Sequence, residues 1–148
     1  MGRNAIAPRF GRVVTVAAAL AIGGCGRSSI TSARIERGFA STFANLVHVQ
    51  VSWLGLPPMA ASQFGAIAQC RTQTGSDAGS GDWICTLRWQ GPDGRPLRDT
   101  YDLFVTTDGC YTATLEGDTL GGPTLKKTDG TSVKNLLYTF EGCFDTSG

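Results

Sequence analysis

The sequence predicts an α+β domain: an N-terminal helix packed on an antiparallel meander sheet of four to five strands, stapled by two disulfides. Three observations carry that expectation. Ile35, Phe39, Phe43, Leu46 and Val47 recur at helical spacing, the mark of a helix with one apolar face. From Asp82 onward the apolar period becomes two, the mark of strands with one buried face. Tight-turn sequences, Gly91-Pro-Asp-Gly94 and Asp108-Gly109, then separate consecutive strand-like segments, and strands joined by such short turns run antiparallel. A parallel, doubly wound sheet is thereby excluded.

Taken in chain order, residues 1–24 read as an export signal. Arg3, Arg9 and Arg12 precede the apolar run Val13–Ile22, and Gly23-Gly24-Cys25 follow, in the order and proportion of a secretory signal peptide. Ten apolar residues span about 15 Å as a helix, half of the ~30 Å hydrocarbon core, so the run is too short for a membrane anchor. There is no Arg-Arg pair, which favours the general secretory route over the twin-arginine one. Ile22-Gly23-Gly24-Cys25 resembles the lipobox of bacterial lipoproteins, with Ile22 where that pattern most often has Leu. The resemblance implies cleavage after Gly24 and a diacylglycerol thioether on Cys25. Two acyl chains, at ~0.8 kcal/mol per buried CH₂, anchor stably where one is marginal. A plain cleaved signal with Cys25 as a spare thiol is the alternative.

At 148 residues the chain fits one domain of roughly 150. Thirteen basic and twelve acidic side chains leave a net charge of +1, which excludes a strongly basic nucleic-acid binder. Loss of residues 1–24 removes three arginines and no acid, leaving ten basic against twelve acidic side chains and a charge of −2. Attraction to anionic lipid is therefore not expected, and membrane attachment would rest on the acyl chains. Residues 25–31 form a short lipidated tether, and residues 32–148 the domain.

The helix is expected from about Ser32, as N-cap, to Val49. Gly38 weakens it by about 1 kcal/mol relative to Ala, but the apolar stripe runs through that position. Leu56-Pro57-Pro58 terminates what precedes it, and the alanine-rich Met59–Gln69 suits a short second helix. Asp82–Gln90 is the clearest strand, with Trp83, Cys85, Leu87 and Trp89 on one face and Ile84, Thr86 and Arg88 on the other. Leu97–Thr107 and Cys110–Leu115 follow as strands. Asp129-Gly130 turns between short strands around Thr124-Leu125 and Ser132-Val133, and Leu136–Phe140 is expected to close the sheet. Trp83, Trp89, Tyr111 and Tyr138 are expected in the core, because aromatic side chains dominate core burial.

With Cys25 set aside, Cys70, Cys85, Cys110 and Cys143 are an even number in an exported chain, where disulfides are the default. Of three connectivities, the sequential one, Cys70 with Cys85 and Cys110 with Cys143, is expected. Each such loop adds roughly 3 kcal/mol in the chain-entropy model. Zinc would need ligand spacings such as C-x₂-C, which these cysteines and the single histidine do not offer.

No complete catalytic constellation is legible. Gly-x-Ser-x-Gly, P-loop and dinucleotide fingerprints are missing, and His48 is the one candidate base. Asp99 and Asp102 imitate a glycosidase acid pair but are expected on a solvated strand face. The segments Asp82-Trp-Ile-Cys85, Tyr101-Asp-Leu-Phe-Val105, Asp108-Gly-Cys-Tyr-Thr112 and Phe140-Glu-Gly-Cys143 resemble a group of uncharacterised actinobacterial exported lipoproteins, over about half the chain. That likeness implies paired cysteines and a Trp-x-Cys strand, with no activity, cofactor or catalytic residue. The expectation is a lipid-anchored, non-catalytic domain on the extracytoplasmic face of the cell membrane, binding a protein or envelope component and no nucleic acid. A small-molecule or lipid carrier would need a pocket of some ~300 Å³ or more lined by Phe39, Phe43, Trp83 and Tyr101. A hydrolase would need His48 beside a Ser and an Asp.

Overall fold

A computed structural model describes residues 29–147. The signal segment 1–24, the lipidation site Cys25 and most of the tether lie outside the described residues. Helix α1 (Ser32–Trp53) is followed by a 3-10 turn at Ala61–Phe64 and strands β1 (Ile67–Thr72), β2 (Gly81–Gln90), β3 (Pro96–Val105), β4 (Cys110–Leu115), β5 (Thr124–Lys126), β6 (Ser132–Lys134) and β7 (Thr139–Cys143). The main sheet has the order β1-β2-β3-β4-β7, antiparallel throughout, and β5 and β6 form a separate hairpin. The predicted helix-on-meander class is the one observed.

Helix α1 runs four residues past its predicted end because Gln50 and Val51 continue the buried stripe of Ile35, Phe39, Phe43 and Val47. Burying its five fully apolar members contributes on the order of 10 kcal/mol before entropy costs. The helix stops at Leu54-Gly55, where Gly55 takes a left-handed φ of 75° and the Leu56 N–H turns back to the Val51 carbonyl. Its N-cap is Thr31, not Ser32, and no side chain caps it. Instead the Ser32 N–H donates to the Asp77 carbonyl, so the loop between β1 and β2 satisfies a helix-end donor.

The predicted tether is shorter than expected at its fold end. Ile30 is 3% exposed and belongs to the core, its carbonyl accepts from the Gly79 N–H, and Thr31 bridges Ala78. The glycine-rich 73–80 loop is therefore held twice, by the Cys70–Cys85 bridge at its base and by residues 30–32 at its tip.

The expected second helix over Met59–Gln69 does not form. Only Ala61–Phe64 coils, Gly65 adopts φ 53°, and Ile67–Gln69 enter β1, whose alternate residues Ala68, Cys70 and Thr72 are buried. Alanine's helix preference is a few tenths of a kcal/mol per residue. Six residues of ladder pairing with β2 outweigh it. The closing strand is likewise displaced toward the C-terminus. Asn135 is buried, its amide donates to the Leu120 and Gly122 carbonyls, and its carbonyl oxygen accepts from Leu137 N–H. That turn delays extended structure until Thr139.

Between α1 and the sheet, Phe39 meets Tyr101 edge-on at 5.3 Å and stacks on Phe140 at 5.7 Å, while Phe43 meets Trp89 at 5.1 Å. Trp83, Trp89 and Tyr111 are buried as expected, and Tyr138 is half-buried. Gly38 has a packing reason: a Cβ there would lie 2.8 Å from the Phe144 Cβ. The C-terminal Phe144 crosses the helix at the one position without a side chain.

Candidate functional site

Both predicted disulfides are present, Cys70–Cys85 and Cys110–Cys143. Each joins residues directly opposite one another on neighbouring strands, with Cα atoms 4.1 and 3.9 Å apart. They differ in setting. Cys70 and Cys85 point into the core, whereas Cys110 is half-buried and Cys143 exposed on the outer face of the sheet, the face turned away from α1. Among the described residues no cluster of three or more His, Cys, Asp or Glu could hold a metal, and no helix is long and apolar enough to cross a membrane.

The four residues expected to line a carrier pocket, Phe39, Phe43, Trp83 and Tyr101, are all fully buried; Phe39, Phe43 and Tyr101 are in ring contact with Phe140, and Phe43 also with Trp89. Tyr101 donates its hydroxyl to the Leu137 carbonyl at 2.8 Å. Burial foremost, and then the nearby Asp99 charge, raise its phenol well above the ordinary tyrosine range. His48 is exposed and its Nδ1–H donates to the Met59 carbonyl at 2.6 Å. It ties α1 to the Pro57–Met59 segment and is bonded to neither a Ser nor an Asp.

Asp99 does not lie on a solvated face. It is 3% exposed, accepting from Trp89 Nε1–H at 2.7 Å and from the Thr119 hydroxyl at 2.6 Å. Asp102 is exposed on the opposite face. A spacing of three along a strand reverses the side-chain direction, so the two carboxyls never share a site.

Since α1 covers the inner face of the sheet, the surface available for recognition is the outer face and the seam beside the helix. The seam is an open groove of about 580 Å³ between Arg37, Ala40, Ala44 and, from the other wall, Ala61, Gly65 and Ala66. Glu36 crosses it to accept the Cys70 N–H at 2.9 Å, which occupies the free edge of β1. On the outer face, register aligns Ile67, Arg88 and Arg98 in one row across β1, β2 and β3, and Asp82, Phe104, Thr112 and Glu141 in another. Ile67 and Phe104 are 60% and 57% exposed, so each row carries a large apolar side chain beside charge. A hollow of about 510 Å³ includes Ile67, Arg88, Pro96, Leu97 and Arg98 in its lining.

The expected site residues did not include Arg88, Arg98 or Phe104. A signal for the first two existed: a five-residue connection over Gly91–Arg95, closed by Gly91 N–H to the Arg95 carbonyl, sets Gln90 opposite Pro96 and hence Arg88 opposite Arg98. Comparison with known proteins yields no match: no family model, no curated protein and no solved structure matches the chain.

Proposed function

We propose that this chain is a lipid-anchored, extracytoplasmic, non-catalytic domain that binds a protein or envelope component through its surface. The carrying observation is the filled space between helix and sheet, where Phe39, Phe43, Trp83 and Tyr101 are wholly buried and Tyr101 lies in ring contact with both phenylalanines. A ligand carried between the layers has no place among them, so recognition falls to the exposed faces. Two cross-strand disulfides support an oxidising compartment. The lipobox-like Ile22–Cys25 supports attachment through diacylglycerol on Cys25, at the membrane's outer side. The position of His48, bonded to a backbone carbonyl, supports the non-catalytic reading.

Membrane fractionation of cells carrying Cys25→Ala tests the anchor: the variant should move to the soluble fraction, and retention in membranes would sink the lipidation reading. Crosslinking in intact cells with a photoreactive residue at Phe104 tests the binding role. A discrete adduct, abolished by charge reversal at the neighbouring Asp102, is expected; a protein that crosslinks to nothing at any outer-face position overturns it.

A further inference from the structure

Arg88 and Arg98 stand directly opposite each other on β2 and β3, on the outer face, and both are exposed. Like charges placed opposite each other on paired strands are destabilising, and neither guanidinium group takes part in an ion pair or hydrogen bond among the described residues; the ion pairs present among them are Arg95–Asp93 and Lys127–Asp129. Both arginines line the hollow of about 510 Å³, together with Ile67 and Pro96. Ile67 lies next to Arg88 in register and is 60% exposed, and Pro96, two residues before Arg98, is exposed on the same face. Paired guanidinium forks match the oxygens of a phosphate in number and direction, and apolar surface beside them offers a seat for whatever the phosphate is esterified to.

We propose that Arg88 and Arg98 jointly bind the phosphate of an organic phosphate ester, with its apolar part on Ile67 and Pro96. The bound dianion or monoanion converts a repulsive pair into a bridged one. The position bears on the source of the ester. The Gly79 N–H bonds the Ile30 carbonyl just before β2 starts at Gly81; Arg88 is seven residues further, about 23 Å along the strand. The site therefore lies at the opposite end of β2 from Ile30. This inference does not depend on lipidation of Cys25.

Calorimetric and thermal-shift titrations of the full-length chain in nonionic detergent with inorganic phosphate and hexyl phosphate, and detergent-free flotation with vesicles containing phosphatidylglycerol compared with phosphatidylcholine alone, test it. Hexyl phosphate should bind more tightly than inorganic phosphate, and Arg88→Gln/Arg98→Gln should weaken it tenfold or more, whereas Arg95→Gln leaves it unchanged. Without ligand, the double variant should melt no lower than the parent, because a like-charge pair has been removed; this separates a ligand site from a purely structural one. Binding to the vesicles alone, lost in the double variant, identifies the ester as a bilayer headgroup, and binding to hexyl phosphate alone identifies a free ester. Equal responses of parent and double variant to every probe, or no response from the parent, overturn the site. Equal affinity for hexyl and inorganic phosphate overturns the apolar seat.

Discussion

Replacing Asp99 separates two opposing effects that the structure places on one side chain. Its carboxylate is buried without a cationic partner, and burying an unpaired charge is costly. Against that, it accepts two hydrogen bonds, from Trp89 Nε1–H and the Thr119 hydroxyl, and bonds to a charged acceptor contribute about 1.5–3 kcal/mol each. Asp99→Ala removes both and strands the indole N–H of Trp89, which is 5% exposed, at a further cost of about 1–3 kcal/mol. Thr119 is exposed and water replaces its lost partner. Relief of the buried charge offsets part of the loss, so the net is about 2–3 kcal/mol of destabilisation. Asp99→Asn keeps the shape, accepts from Trp89 through its carbonyl oxygen and donates its amide to the Thr119 oxygen. It should therefore lie within about 1 kcal/mol of the parent. Urea unfolding followed by far-UV circular dichroism reads both: with a slope of about 1–3 kcal/mol per molar, Asp99→Ala lowers the midpoint by roughly 0.7–3 M while Asp99→Asn moves it by a fraction of that. Were Asp99→Ala as stable as the parent, or Asp99→Asn as damaging as Asp99→Ala, the hydrogen-bonding account of this residue would be wrong.

Because the Cys110–Cys143 bridge is on the outer face and Cys70–Cys85 is in the core, limiting reductant should open the former first; peptide mapping after alkylation checks the order, and simultaneous opening contradicts it. Asp129 has its pKa lowered to about 2, chiefly by the Thr131 hydroxyl and N–H. A carboxyl depressed in the folded state stabilises above its unfolded value of about 3.9, and that contribution disappears as pH falls toward 2. An NMR titration should place the midpoint there, and Thr131→Val should raise it. Burial, above all, raises the pKa of Tyr101 and of Tyr111. Groups that stay protonated in the fold but ionise when unfolded make stability fall as pH climbs above about 10. Absorbance at alkaline pH should show both tyrosines ionising only with unfolding. Gly38→Ala should lower stability despite gaining about 1 kcal/mol of helix preference, because the new methyl meets Phe144; a raised melting temperature would show that the C-terminal crossing yields freely.

The strands were legible wherever one face is buried, because parity then writes burial into the sequence. Gly81–Gln90 alternates from Trp83 to Trp89, and the observed strand differs from the predicted one by a single residue. The same parity holds at Asp99, whose odd separation from Asp102 places the two on opposite faces of β3. Ala66–Gln69 misled because alanine and glutamine favour helix weakly while the ladder to β2 is a nonlocal interaction, invisible to composition. The end of α1 was misplaced for a related reason: Gln50 looks polar, yet its carbonyl oxygen accepts from the Leu136 N–H at 2.6 Å inside the core. A partner 86 residues away in sequence leaves no local trace.

Recognition is harder to read than fold because it depends on residues that no packing constraint fixes. The inner face of this sheet must match α1, so its side chains are apolar and periodic. Its outer face is free to vary, and polar alternation there looks the same whether the side chains are merely solvated or assembled into a site. What distinguishes the two is register. Arg88 and Arg98 are ten residues apart, unremarkable as a pair until the Gly91–Arg95 connection sets them opposite each other. Opposed like charges with no acid in contact run against the arrangement that favours a sheet, whereas Arg34 and Arg37 sit near the helix N-terminus with backbone carbonyl partners. A feature that local stability does not explain, located beside exposed apolar side chains and a hollow, is where a ligand is the economical physical explanation. Phe104 is a weaker marker of such a site, since its row holds Asp82, Thr112 and Glu141 and no directly opposed pair of like charges.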